Sequence, residues 1–164
     1  MKISEVSKFF GLPTTNVEFD NFLTKHGIKQ RPKYRQMPFE KIRCPQEGWS
    51  LELVPQLSYE DWWEPARENG ELIFMAIRVY GKHNDDDYAP YIGELPHGLT
   101  FATTLQEAKK ILGVPTLNHE SNENTVYMWY DVKGYSIWLS YLPSEKDIAF
   151  MTMEPKNNRP PVKS

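Results

Sequence analysis

Cysteine is nearly missing from this chain: Cys44 stands alone among 164 residues. A single thiol excludes an internal disulfide and any zinc site built from paired thiolates. The four histidines (His26, His83, His97 and His119) include no pair at ligand spacing, so a zinc site would need distant residues to converge. The nine glycines form no phosphate-cradling loop, and there is no nucleophile elbow and no Ser-x-x-Lys pattern. No run approaches the roughly 18 apolar residues of a membrane span. The opening residues Met1-Lys2-Ile3-Ser4-Glu5 lack the apolar stretch of a secretory signal. These gaps lead to the expectation of a cytoplasmic, non-catalytic protein without cofactor or metal. An enzyme hidden from motif reading would rely on His97, in a loop, or on Cys44, whose neighbour Arg43 would lower the thiol pKa.

What is present is an ordinary globular composition, 40% hydrophobic and 25% charged, which argues against wholesale disorder. The formal charge of −3 conceals two opposed fields. Lys25, Lys29, Arg31, Lys33, Arg35, Lys41 and Arg43 crowd residues 25–43 against one acid, Glu40. Residues 58–94 carry nine acids and three bases. The basic stretch invites a nucleic-acid-binding reading, which a sequence pI near 5.8 and the lack of a groove-reading module weigh against.

The most informative pattern is an internal echo. Residues Glu5 to Asn16 (EVSKFFGLPTTN) align without gaps on Glu107 to Asn118 (EAKKILGVPTLN). Each copy reads as an amphipathic helix ended by glycine, Gly11 or Gly113, with proline two residues later to prevent continuation. Ser4 is the expected N-cap of the first copy, and Thr103 or Thr104 of the second. Asn16 is expected to cap a further helix reaching Lys25. Two more matches follow in order: Gly48 to Leu53 (GWSLEL) on Gly134 to Leu139 (GYSIWL), and the apolar strands Leu72 to Val79 and Ile148 to Met153. The expected fold is α+β. It comprises two related units, each with one or more helices packed on an antiparallel sheet of about three to four strands. Residues 1–88 form the first unit, 89–99 a connector, 100–153 the second unit, and 154–164 a disordered polar tail.

Two aromatic-acidic clusters are the candidate partner surface. Glu60, Asp61, Trp62, Trp63 and Glu64 set two indoles among three carboxylates, and Asp85, Asp86, Asp87, Tyr88 and Tyr91 set two phenols beside three more. Rigid aromatics anchor interfaces while carboxylates steer a basic partner. Adjacent residues on one element face differently, so one indole at most is expected to point inward. The three consecutive aspartates lack the alternating ligands and distal glutamate of an EF-hand loop, and read as a solvated turn.

The order of motifs supports a resemblance. The run Ala89 to Phe101 (APYIGELPHGLTF), the helix ending Leu112-Gly113-Val114-Pro115, and the Trp-bearing strands around Trp129 and Trp138 resemble small bacterial immunity-type proteins encoded beside polymorphic toxins. The second unit is also similar to the helix-and-strand fold of the β-lactamase inhibitor protein, a binding scaffold without an active site. The resemblance implies a non-catalytic immunity protein that binds and neutralises a cognate toxin domain, occluding a basic active-site cleft. An adaptor or chaperone for a secreted effector is the alternative of the same class. A nucleic-acid-binding regulator using residues 25–43 is the alternative from another.

Overall fold

The β-branched, aromatic and aliphatic residues in the second half of each echo draw the chain into strands whose apolar faces need a common cover. A computed structural model describes residues 1–159. Seven strands occur among them: β1 (Glu40–Cys44), β2 (Trp49–Pro55), β3 (Leu72–Tyr80), β4 (Leu117–Ser121), β5 (Asn124–Val132), β6 (Tyr135–Tyr141) and β7 (Ile148–Pro155). They form one antiparallel sheet in the order β1-β2-β3-β7-β6-β5-β4. The fold is α+β as expected, and the strands expected in two units of about three to four each lie in a single continuous seven-stranded sheet. The physical reason is the pairing of β3 with β7, which joins Ile77 to Met153 and Val79 to Met151 and leaves neither strand as an edge.

Four helices complete the fold: α1 (Ile3–Val6), extended by a 3-10 turn over Ser7–Phe9, α2 (Val17–Lys25), α3 (Gln56–Trp62) and α4 (Leu105–Leu112). Asn16 caps α2 by accepting from the Phe19 amide at 3.0 Å, and Thr104 caps α4 by accepting from the Glu107 amide at 3.2 Å. Ser4 is not the cap of α1. The helix begins after Lys2 and places Ser4 inside it, facing solvent. Gly11 and Gly113 take the positive φ that the glycine–proline endings require. The helix α3 lies in a stretch whose spacing of acids and aromatics gave no helical expectation.

One sheet face is sealed by α1, α2 and α4 over Trp49, Leu51, Phe74, Ile77, Ile137 and Met151. Phe9 and Phe19 stack at 5.2 Å, and Phe19 stacks in turn on Phe74 at 5.1 Å. On the other face, among the described residues, helix cover is confined to the end nearest Pro55 and Leu72, where α3 and the residue after it lay Tyr59 and Trp63 over Val54, Ile73, Met75 and Ala76. The strand β7 continues through Glu154 and Pro155, residues expected in the polar tail, and the amides of Lys156 and Asn157 still bond to the Gly134 and Tyr130 carbonyls. The remainder of that expected tail, residues 160–164, lies outside the described residues.

The outer edge of β1 is partly filled. The Gln30 side-chain amide donates to the Arg43 carbonyl at 2.9 Å and accepts from the Arg43 amide at 3.0 Å, in the place a neighbouring strand would occupy. The basic segment is therefore mostly connector and edge: Arg31 pairs with Asp20 at 2.7 Å, and Lys41 with Glu52 at 3.4 Å.

Gly48 and Gly134 are the turn glycines of the second echo, with φ of 74° and 90°. A Cβ on Gly48 would meet the Ala89 carbonyl oxygen at 2.2 Å and the Tyr91 amide at 2.6 Å, because the connector packs directly on that turn. A Cβ on Gly134 would meet nothing within 4 Å. Urea denaturation should show Gly134→Ala costing about 1 kcal/mol from backbone strain alone and Gly48→Ala about 3 kcal/mol or more. Equal losses would mean that the connector yields at no cost.

Candidate functional site

The side of the sheet opposite the three sealing helices carries an orderly set of large and small residues. Cross-strand register sets Ser50, Arg78, Thr152 and Trp138 in one row, and Tyr80, Phe150 and Ser140 in the next. Arg78 Nε donates to Thr152 Oγ1 at 3.0 Å, and its guanidinium carbon lies 4.3 Å from the Phe150 ring centroid. Trp138 Nε1 donates to Ser136 Oγ at 3.1 Å. Ser50, Ser136, Ser140 and Thr152 are buried on this face although no helix covers them, because the large side chains close over them.

The two aromatic-acidic clusters border this face at its opposite ends, the first on α3 and the second in the loop after β3. Trp63 turns inward at 8% exposure and stacks near Tyr59, whereas Trp62 stays 40% exposed. Arg159 lies over the Trp62 ring at 3.9 Å and donates to the Asp61 carbonyl at 3.1 Å. Glu60 is not a free carboxylate: it accepts from the Ala66 amide and from Gln56 Nε2, closing the turn after α3. Asp61 and Glu64 are exposed. At the far end, Tyr88 stacks on Tyr80 at 3.9 Å, and Asn84 closes the loop by bonding to the Gly81 and Tyr88 carbonyls. Burial raises the Tyr88 pKa, assisted by the neighbouring Tyr80. Asp85, Asp86 and Asp87 are exposed on this loop. Tyr91 instead sits 6% exposed under the connector, its hydroxyl donating to the Met1 carbonyl at 2.9 Å, so its role is structural.

Between α3 and the strands lies a pocket of about 330 Å³. Phe39, Trp62, Trp63 and Trp138 line it with aromatic surface, and Glu52 and Glu154 contribute carboxyl groups. Glu154 is 3% exposed and forms no hydrogen bond or ion pair with its side chain among the described residues. Desolvation is the main cause of a pKa raised to about 8; the nearby Glu52 adds to the rise, and Arg78 and the Trp63 indole oppose it. Trp63 Nε1 approaches this carboxyl but is not aligned for a hydrogen bond, and remains a buried donor without a partner. A larger cavity of about 770 Å³ lies between the first turn of α1 and residues 92–98. No buried unpartnered polar atom lines it. His97 does, with a positive φ of 60° and a pKa lowered by burial and by Lys133.

Cys44 does not have the activated thiol that its basic neighbour suggested. Burial raises its pKa, and the adjacent acid is Glu47, 3.6 Å away. Among the described residues no group of three or more His, Cys, Asp or Glu is placed to hold a metal ion, and no helix is long and apolar enough to cross a membrane. Sequence reasoning missed Arg78, Trp138, Phe150, Thr152 and Glu154 as members of one surface. Their signal was the alternation within β3, β6 and β7, which sets them on the face opposite the core residues Ile77, Ile137 and Met153.

No known family's profile matches the chain, and no curated protein matches it. Two solved structures share its course. A DUF4309 family protein (YjgB) from Bacillus subtilis subsp. subtilis str. 168 is 10% identical, with 93% of this chain and 92% of that one covered and a TM-score of 0.47. An extracellular protein containing a SCP domain from Bacillus anthracis str. Ames is 9% identical, with 94% of this chain covered and a TM-score of 0.53. This chain spans 46% of that protein. At this identity the second likeness is one of fold alone.

The buried carboxyl makes stability depend on pH. Between the ordinary 4.5 and about 8 the unfolded chain has released this proton and the folded chain retains it. Its contribution to stability therefore falls as pH rises through that window and levels off above it. Glu154→Gln should be more stable than the parent by about 2–4 kcal/mol at pH 8.5 and nearly equal to it at pH 4, by chemical denaturation. A stability difference that does not change with pH would show that Glu154 titrates normally.

Proposed function

We propose that this protein is a non-catalytic binding protein that docks a cognate toxin domain on the uncovered sheet face and neutralises it in the cytoplasm. The observation that carries this reading is the common border of the two aromatic-acidic clusters. Trp62 with Asp61 and Glu64 lies at one end of the face, and Tyr88 with Asp85 to Asp87 at the other. Nine strand residues of β3 separate them, about 27 Å at the usual rise. A strip of that length suits one side of a standard protein interface. Arg78, Phe150 and Trp138 supply broad, rigid contact surface between the ends, and the terminal acids supply attraction for a basic cleft. Trp63 packs beneath the first cluster, Glu60 closes the turn after α3, and Tyr91 lies in the core.

The scaffold reading includes two related units. Gly48 and Gly134 precede β2 and β6 with a positive φ in both, and these strands flank β3 and β7 on either side of the junction. A duplication that kept the pairing of its two last strands accounts for the echo and for the single sheet.

The test is capture of the partner with tagged protein in the native host, followed by assay of the captured toxin with parent and variants. Replacing Asp85, Asp86 and Asp87 together by Asn should slow association about tenfold at low salt and flatten its salt dependence. Trp62→Ala should speed dissociation about tenfold. A toxin that stays fully active in the complex would turn the reading to an adaptor. Kinetics indifferent to both variants would place the interface elsewhere.

A further inference from the structure

We infer that the pocket between α3 and the sheet is a receptor site for an alkylammonium group, seated against the faces of Phe39, Trp62, Trp63 and Trp138 with Glu154 as its counter-ion. The inference does not depend on the toxin reading. Aromatic faces attract cations, most strongly where water is excluded, and four rings share this pocket of about 330 Å³; two of them already carry cations of the chain, Arg159 over Trp62 at 3.9 Å and Lys41 over Phe39 at 5.3 Å.

The second observation is the carboxyl itself. Glu154 is 3% exposed, lines the pocket, and has no ion pair of its own. Tyr130, from β5, feels the Glu154 charge, and the other charged and polar groups around the carboxyl are committed elsewhere. Glu52, from β2, is held by Lys41 of β1 at 3.4 Å. Arg78, from β3, lines the same pocket and opposes the rise of the Glu154 pKa, while its guanidinium bonds to Thr152 and lies over Phe150. Thr152 lies two residues along β7 from Glu154, about 7 Å at the usual strand rise. Ser136, opposite Glu154 on β6, accepts from Trp138. Trp63 Nε1, from α3, lies nearby but is not aligned to bond. A buried carboxyl left without a partner is costly, and an entering cation removes that cost. A free amine and a polypeptide lysine share this chemistry.

The full chain should be titrated with n-butylammonium chloride and with Nα-acetyl-lysine methylamide, with n-butanol and butyrate as neutral and anionic counterparts. Calorimetry and tryptophan fluorescence read the binding. Both ammonium probes should bind at pH 8.5, and n-butanol at least about tenfold more weakly. Stronger binding of the lysine amide would mark a polypeptide source, and stronger binding of butylammonium a free amine. Ammonium affinity should rise about tenfold per pH unit below about 8 and level off above it, because the cation binds the ionised carboxyl. Glu154→Gln should weaken ammonium binding about tenfold or more and remove the pH dependence. If that variant does not fold, Trp62→Ala, at a half-exposed position, should weaken ammonium binding about threefold and leave n-butanol little changed. Binding of n-butanol as tight as butylammonium, preference for butyrate, or no ammonium binding at pH 8.5 would overturn the inference.

Discussion

The antiparallel pairing of β3 with β7 is the constraint on which the rest of the molecule depends. It joins the last strand of the first half to the last strand of the second, through Ile77 to Met153 and Val79 to Met151 on the helix-covered side. Without it, β3 and β7 would each present a long apolar edge, and neither half would have enough sheet to support its helices. The same register sets Arg78 beside Thr152 and Tyr80 beside Phe150 on the other side. Core and surface are two faces of one pairing. A shift of one residue would exchange them, sending Met151 and Met153 to solvent and Thr152 into the core.

That two-sidedness explains the chemistry of the uncovered face. Its strands cannot be apolar on both sides without inviting association, yet its small hydroxyl residues lie too deep to be wet. The compromise is a layer of long, flat side chains, Arg78, Trp138, Phe150 and Tyr80, folded down over serines and a threonine. The layer is nearly self-satisfied in hydrogen bonding. Its exceptions, Ser50 Oγ, Trp63 Nε1 and the Glu154 carboxyl, are the places where the face remains chemically unfinished.

Much of the fold was legible. Asn16 and Thr104 cap helices because a short polar side chain before an apolar periodic run has few better uses, and Gly11, Gly48, Gly113 and Gly134 all take positive φ. What escaped was decided by tertiary contacts. The helix α3 starts at Pro55 with no side-chain cap, and only its packing on Val54 and Met75 makes Tyr59 and Trp63 an apolar stripe. Glu154 read as the first residue of a polar tail, since nothing local marks a glutamate as the last deep residue of a central strand. Tyr91 read as surface because its partner, the Met1 carbonyl, is 90 residues away in sequence. The candidate site was visible as its two rims, Trp62 and Tyr88. The floor between them belongs to strands from both halves of the chain.

The Gln30 amide filling the edge of β1 has a consequence for how such a scaffold changes over time. At Arg43, where an incoming strand would hydrogen-bond, both backbone groups are already taken, and β4 at the other edge is polar and exposed. An incoming strand finds no free backbone group at Arg43, so recognition at that point of the edge falls to side chains. Most exposed substitutions on an already formed sheet alter stability little. Exposed residues such as Asp85 to Asp87 can therefore be replaced while the glycines, caps and central register stay in place.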